Sequence, residues 1–173
     1  ITDLNPENFN NSAFKERLYL VKAEIDFSLG NELQGKQLIN KVTSKQGKLY
    51  VESKYLFSLG KYRQAERKLK FLKVLKPKIS RSSVYNLLGT ISEAKGDNNQ
   101  ALSFYESANN ENKNWRSPYL SMAKIHLNLS NFDKALSLLE QAKNLSSSNN
   151  NYNAVKSQYF SYRNQIERAK KIG

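Results

Sequence analysis

The sequence predicts an all-α chain of antiparallel helix pairs stacked in series, and three observations carry that expectation. From Ser82 to Ser146 a pattern recurs: Tyr119 stands 34 residues after Tyr85, and the same step takes Gly89 to Ala123, Ala101 to Ala135, Tyr105 to Leu139 and Ala108 to Ala142. Aromatic, small and bulky positions repeated at that period mark helix-turn-helix units, each burying an apolar face against its neighbour. Earlier in the chain, Phe27-Ser28-Leu29-Gly30 is echoed 30 residues on by Phe57-Ser58-Leu59-Gly60. Between these turns the apolar residues keep a helical stride, as in Phe14, Leu18, Val21, Ile25 and Leu29.

Asn5-Pro6-Glu7-Asn8 is turn chemistry, and Asn10-Asn11-Ser12 offers N-caps for a first helix that ends at Gly30, a residue suited to a left-handed C-cap. A second helix runs from Leu33 to about Val42, and Thr43 to Gly47 connects it onward. The segment Leu49 to Lys76 repeats the scheme, with Tyr62, Ala65, Leu69 and Leu72 lining its second helix and Pro77 stopping it. Ile79 to Arg81 is a short linker. Gly96-Asp97 forms the next inter-helix turn, Ser117-Pro118 reads as an N-cap followed by proline at the first helical position, and Ser130-Asn131 replaces the turn glycine in the last pair. Ser146 to Asn151 reads as a polar hinge before a final helix with Tyr152, Val155, Tyr159, Tyr162 and Ile166 on one face. A polar-backed helix of this kind closes the open end of a stack, or leaves the stack to dock a partner.

These residues resemble the tetratricopeptide repeat family, whose unit is a 34-residue helix-turn-helix. Aligned on unit starts at Glu16, Gln46, Ser82 and Arg116, the family's small eighth position reads Ala23, Ser53, Gly89 and Ala123. The fifteenth reads Gly30, Gly60, Gly96 and Ser130; the twentieth Gly35, Ala65, Ala101 and Ala135; the twenty-seventh Val42, Leu72, Ala108 and Ala142. The match is weakest in the first unit, where Glu32 and Gly35 stand for an aromatic and an alanine. The resemblance implies one domain over 1–173: a lead-in at 1–15, units at 16–45, 46–79, 82–115 and 116–149, and a capping helix at 151–171. It also implies a right-handed superhelix whose first helices line a concave groove.

In the family's register the groove-facing candidates are Tyr50, Val51, Lys54, Asn86, Leu87, Thr90, Leu120 and Lys124. Tyr50, Val51, Phe57 and Leu87 offer an apolar bed for a helix or extended peptide. Lys54 and Lys124 are expected to pair acidic residues of such a ligand. Phe27 and Phe57 read as inter-helix core. Family members that clamp a chaperone's C-terminal carboxylate use Lys, Asn and Arg at set positions. Here the two possible triplets offer Leu20, Glu24, Val51, Ser83 and Leu87, or Tyr50, Lys54, Leu87, Ser117 and Leu120, and neither makes a charged carboxylate clamp.

The charge is lopsided, 28 Lys+Arg against 15 Asp+Glu for a net +13, which favours anionic partners. Residues 61–81 hold nine Lys or Arg against the single acid Glu66, so this strip alone supplies +8. Arg63, Arg67 and Lys70 fall at i, i+4 and i+7 on one helix face, and Lys73 extends them. Such a strip is a solvated face, or a surface for acidic protein or anionic lipid headgroups. Nucleic acid fits less well, because Tyr62 and Phe71 are expected at packing positions and leave no aromatic for base stacking.

Nothing in the sequence assembles a catalytic, metal or cofactor site. The chain has no cysteine and one histidine, His126, at a position the family packs. No apolar run reaches the ~18 residues of a membrane span. The chain begins at Ile1 without an initiator methionine and reads as a processed or trimmed product. With its charge and lack of cysteine, this suits a lipid-anchored, periplasm-facing adaptor of pilus or secretion-channel assembly, a role that short exported family members have; a cytoplasmic location stays open.

Overall fold

In the computed structural model, the chain is described over residues 4–74, 80–145 and 150–172. Its elements are a short 3-10 turn at Pro6–Asn8 and α-helices, with no strand among the described residues. The chain divides into two compact units, Ile1–Ile91 and Ser92–Gly173.

The first unit contains α1 (Ser12–Ser28), α2 (Glu32–Asn40), α3 (Lys45–Ser58) and α4 (Tyr62–Val74), and most of α5 (Arg81–Ala94). α1 packs on α2 and α3, and α3 packs on α4. The Asn11 carboxamide accepts from the Phe14 N–H at 3.0 Å and the Ser44 hydroxyl from the Gly47 N–H at 3.1 Å, so α1 and α3 start at side-chain caps. α2 ends two residues before the Val42 that the sequence suggested, although Val42 itself is buried. The Glu16 carboxylate explains the early end. It accepts from the backbone N–H groups of Thr43 and Ser44, at 2.5 and 2.8 Å, and so holds the chain already turned into the cap of α3. In α4, Ala65, Leu69 and Leu72 follow i, i+4, i+7 and are fully buried. Removing the two leucines from water contributes about 1.5–3 kcal/mol each. The stop expected at Pro77 lies outside the described residues.

The second unit contains α6 (Asn98–Glu111), α7 (Arg116–Asn128), α8 (Phe132–Lys143) and α9 (Asn150–Ile172). α7 packs on α6, α8 and α9, and α8 also packs on α9. The helix expected to start at Pro118 starts at Arg116, so Pro118 lies buried within the first turn, where its missing N–H has no partner to lose. Residues 146–149 of the expected hinge lie outside the described residues, and Asn150 and Asn151 already belong to α9. The anticipated face of α9 is the packed one: Val155 and Tyr159 are buried in a cluster with Leu120, Ala123, Leu127 and Leu139, and Tyr152 and Tyr162 flank it.

The turns inside the helix pairs, α1–α2, α3–α4, α5–α6 and α7–α8, share one device. Gly30, Gly60 and Gly96 have positive φ, and Ser130 takes the same conformation at φ 58°. The next residue's N–H then donates to the carbonyl five residues back: Asn31 to Asp26, Lys61 to Leu56, Asp97 to Ser92 and Asn131 to His126, at 2.8, 2.9, 2.9 and 2.8 Å. This ties off helix carbonyls that would otherwise lack partners.

Candidate functional site

The first unit carries a cavity of about 470 Å³ bounded by α1, α3 and Leu87 of α5. α1 contributes Val21, Glu24, Ile25, Phe27 and Ser28, the residues that its helical stride brings to one face. α3 contributes Val51, Lys54, Tyr55, Phe57 and Ser58, which are the same five positions 30 residues later. The cavity is therefore built twice from one pattern, and most of its lining is apolar.

Its polar component is internal. Lys54 and Glu24 form an ion pair at 2.5 Å with both side chains partly exposed, so Lys54 is matched by this chain's own carboxylate. The pair arises because the two residues hold equivalent positions in successive units. In the same lining the Phe27 and Tyr55 rings stack, centroids 4.1 Å apart and planes 19° from parallel, and Phe57 leans on Tyr62 at 5.7 Å. Phe27 is buried as expected of core, while Phe57 is half-buried.

Of the residues expected to face a ligand, Val51, Lys54 and Leu87 line this cavity. Tyr50, Asn86 and Thr90 do not, and each is half-buried. Burial, and then the Glu24 carboxylate, pushes the Tyr50 phenol above its ordinary range, and a hydrogen bond with Ser83 opposes the shift. Thr90 donates its hydroxyl proton to the Asn86 carbonyl at 3.0 Å, and the Asn86 side-chain oxygen is buried with no hydrogen-bond partner.

Leu120 and Lys124 line a concavity of about 230 Å³ in the second unit, with Glu93, Ser121, Ala154, Val155 and Gln158. Leu120 is only 2% exposed because α9 packs over it, so its side chain is committed to the core. Lys124 approaches Glu93 at 3.6 Å, and Glu93 also accepts from the Tyr105 hydroxyl at 2.9 Å. Both lysines expected to meet ligand acids thus already face acids of this chain.

On α4, Arg63, Arg67, Lys70 and Lys73 are all exposed. Tyr62 packs in part, but Phe71 is 47% exposed, which overturns the expectation that it packs. Ala65, Leu69 and Leu72 already fill the inward face, and Phe71 lies about 160° round the helix from Leu69.

His126 is half-buried on α7; burial, then Lys134, pushes its imidazole below the ordinary value while Glu106 opposes them. Its Nδ1 is buried without a hydrogen-bond partner. Among the described residues no group of three His, Cys, Asp or Glu side chains is placed to hold a metal, and no helix is long and apolar enough to cross a membrane.

Ile25 and Tyr55 were not among the expected site residues. The signal lay in the 30-residue echo, which extends beyond the Phe-Ser-Leu-Gly run to Val21/Val51, Glu24/Lys54 and Ile25/Tyr55.

The tetratricopeptide repeat family model matches residues 82–114 and 117–149. No curated protein sequence matches significantly. Among solved structures, the chain is similar to PilF of Pseudomonas aeruginosa, with a TM-score of 0.65 at 17% identity over 87% of this chain and 74% of that one. It is similar to the Yersinia enterocolitica type III secretion chaperone SycD in complex with a peptide of the translocator YopD, with a TM-score of 0.58 at 21% identity over 70% and 92%. It is also similar to PcrH from Pseudomonas aeruginosa in complex with the chaperone-binding region of PopB, with a TM-score of 0.56 at 22% identity over 69% and 96%. The chain bears tetratricopeptide repeats at 82–114 and 117–149, in an all-helical repeat fold that these solved proteins share.

Proposed function

We propose that this chain is a non-catalytic interaction scaffold that holds a segment of a partner protein in the groove between α1 and α3. The observation that carries this reading is the roughly 470 Å³ apolar cavity built from equivalent positions of two successive helix pairs. An open apolar trough with one ion pair suits the face of an amphipathic helix or the alternate side chains of an extended strand. The likeness to SycD and PcrH, each solved with a segment of another protein, favours a protein ligand.

The finer reading is an adaptor in assembly of a pilus or secretion complex, exported as a lipoprotein. The likeness to PilF and to a type III secretion chaperone supports the assembly part of that reading, and export as a lipoprotein is carried by no likeness. Mass spectrometry of the N-terminus of the native product tests export and lipid attachment.

The groove itself is tested by selecting binders from a random peptide library on the immobilised chain. Synthetic copies are then measured against Ile25→Glu, Lys54→Ala and Arg63→Glu/Arg67→Glu variants. The groove reading expects Ile25→Glu to abolish binding and the α4 variant to keep it. The reverse pattern removes the groove as the site.

A further inference from the structure

We propose that the outward face of α4 docks on an anionic lipid bilayer. Two apolar side chains stand in water there, one turn apart and on the same side: Phe71 at 47% and Val74 at 84% exposure. Arg63, Arg67 and Lys70 precede them on the same face of the helix and are exposed. Lys70 pairs with Glu66 at 2.8 Å while 60% of its side chain stays exposed, and no ion pair engages Arg63 or Arg67 among the described residues. The inward side of the same helix is filled by Ala65, Leu69 and Leu72, so neither outward side chain belongs to the buried core of this unit.

A helix face that presents aromatic and aliphatic tips beside exposed cations matches the membrane-water boundary. The tips enter the headgroup layer while the guanidinium and ammonium groups stay with the phosphates. Two alternatives fit less well. A nucleic-acid surface needs open aromatic faces for bases, yet Phe71 is the single exposed aromatic of this face, the Lys45 ammonium stands 5.5 Å from its ring centre, and Val74 has no face to stack. A protein interface of ordinary size buries about 800 Å² per partner around a well-packed centre, more than one convex helix face presents. No α4 residue lines the cavity proposed to hold a partner, so the two surfaces are independent.

The test is co-sedimentation of the full chain with phosphatidylcholine vesicles, with and without phosphatidylglycerol. Binding is expected only to the anionic vesicles and to weaken as salt is added. Replacing Arg63 and Arg67 by glutamine is expected to lower the partition coefficient about fivefold for each cation lost. Phe71→Ser is expected to weaken binding at unchanged helicity and thermal midpoint. In a Phe71→Trp variant, brominated lipid should quench added fluorescence that wild-type protein, whose one tryptophan is Trp115, does not show. Absence of vesicle binding, equal binding to neutral vesicles, or full binding by the arginine pair variant overturns the proposal. So does strip-dependent binding of duplex DNA or polyglutamate without vesicle binding.

Discussion

The Phe27 ring occupies the space a side chain on Gly35 would need: a β-carbon placed on Gly35 falls 2.6 Å from the ring. The ring is also held by Tyr55, which stacks on it with centroids 4.1 Å apart, and Phe27 itself is buried. Gly35→Ala is therefore expected to lower stability, the overpacking cost of about 1–3 kcal/mol exceeding the gain of roughly 1 kcal/mol from a better helix former. Chemical denaturation measures the sum, and a net gain would show that Phe27 moves freely.

Ser130 holds φ 58° where the other three turns hold glycine. Ser130→Gly is expected to stabilise by up to about 1 kcal/mol, since strain at a left-handed position outweighs the extra entropy glycine loses on folding. The thermal midpoint should rise, and a fall would mean that the serine side chain supplies an interaction that offsets its backbone strain.

The sequence made the repeat period, the turn positions and the buried stride of α4 plain, because each follows from local chemistry that recurs. Other assignments depended on what lies across the space between helices. Leu120 sits at a position that faces outward in an uncovered unit, yet α9 lays Val155 and Tyr159 over it. Gly35 departs from the family's alanine because a phenylalanine on α1 needs the room. Phe71 was expected at a packing position, and only the completed inward face of α4 shows that Ala65, Leu69 and Leu72 already fill it.

Arg116 ties the first residue of α7 to the end of α8. Its guanidinium donates to the Ala142 carbonyl at 2.8 Å, to the Lys143 carbonyl at 3.4 Å and to the Leu145 carbonyl. Arg116→Ala is expected to cost about 1–3 kcal/mol, the range for stranding polar groups bound by a charged partner. Arg116→Lys should recover only part of this, because an ammonium lacks the planar fork. Hydrogen exchange reads the effect as faster exchange in the last turn of α8, and unchanged exchange there would exclude the tie.

Lys15 and the Tyr19 hydroxyl both donate to the Glu7 carboxylate, with Lys41 nearby at 3.6 Å. The Lys15 bond first, and then Tyr19, lower the carboxyl from 4.5 to about 2, and the Glu7 bond pushes the phenol from 10.0 to about 12. A lowered carboxyl stabilises the fold above its unfolded value, so the contribution fades as pH falls from 4.5 towards 2. The raised phenol stabilises below 10.0 and fades as pH climbs to about 12. Melting curves of wild type and Glu7→Gln should converge as pH drops through the acid window. A constant gap would detach Glu7 from acid sensitivity.

Because the groove lining is one five-residue set written on α1 and again on α3, a segment lying across both helices meets the same shape twice. The two copies are separated by a helix spacing of about 10 Å, roughly three residues of extended chain. A ligand with that internal spacing draws its preference for one alignment over a neighbouring one from the positions at which the copies differ. Val21/Val51, Phe27/Phe57 and Ser28/Ser58 are pairwise identical, so the reversal of charge from Glu24 to Lys54 and the exchange of Ile25 for Tyr55 are what distinguish the copies. Exchanging Glu24 and Lys54 would keep the ion pair and reverse the polarity along the groove, turning a question of affinity into one of direction.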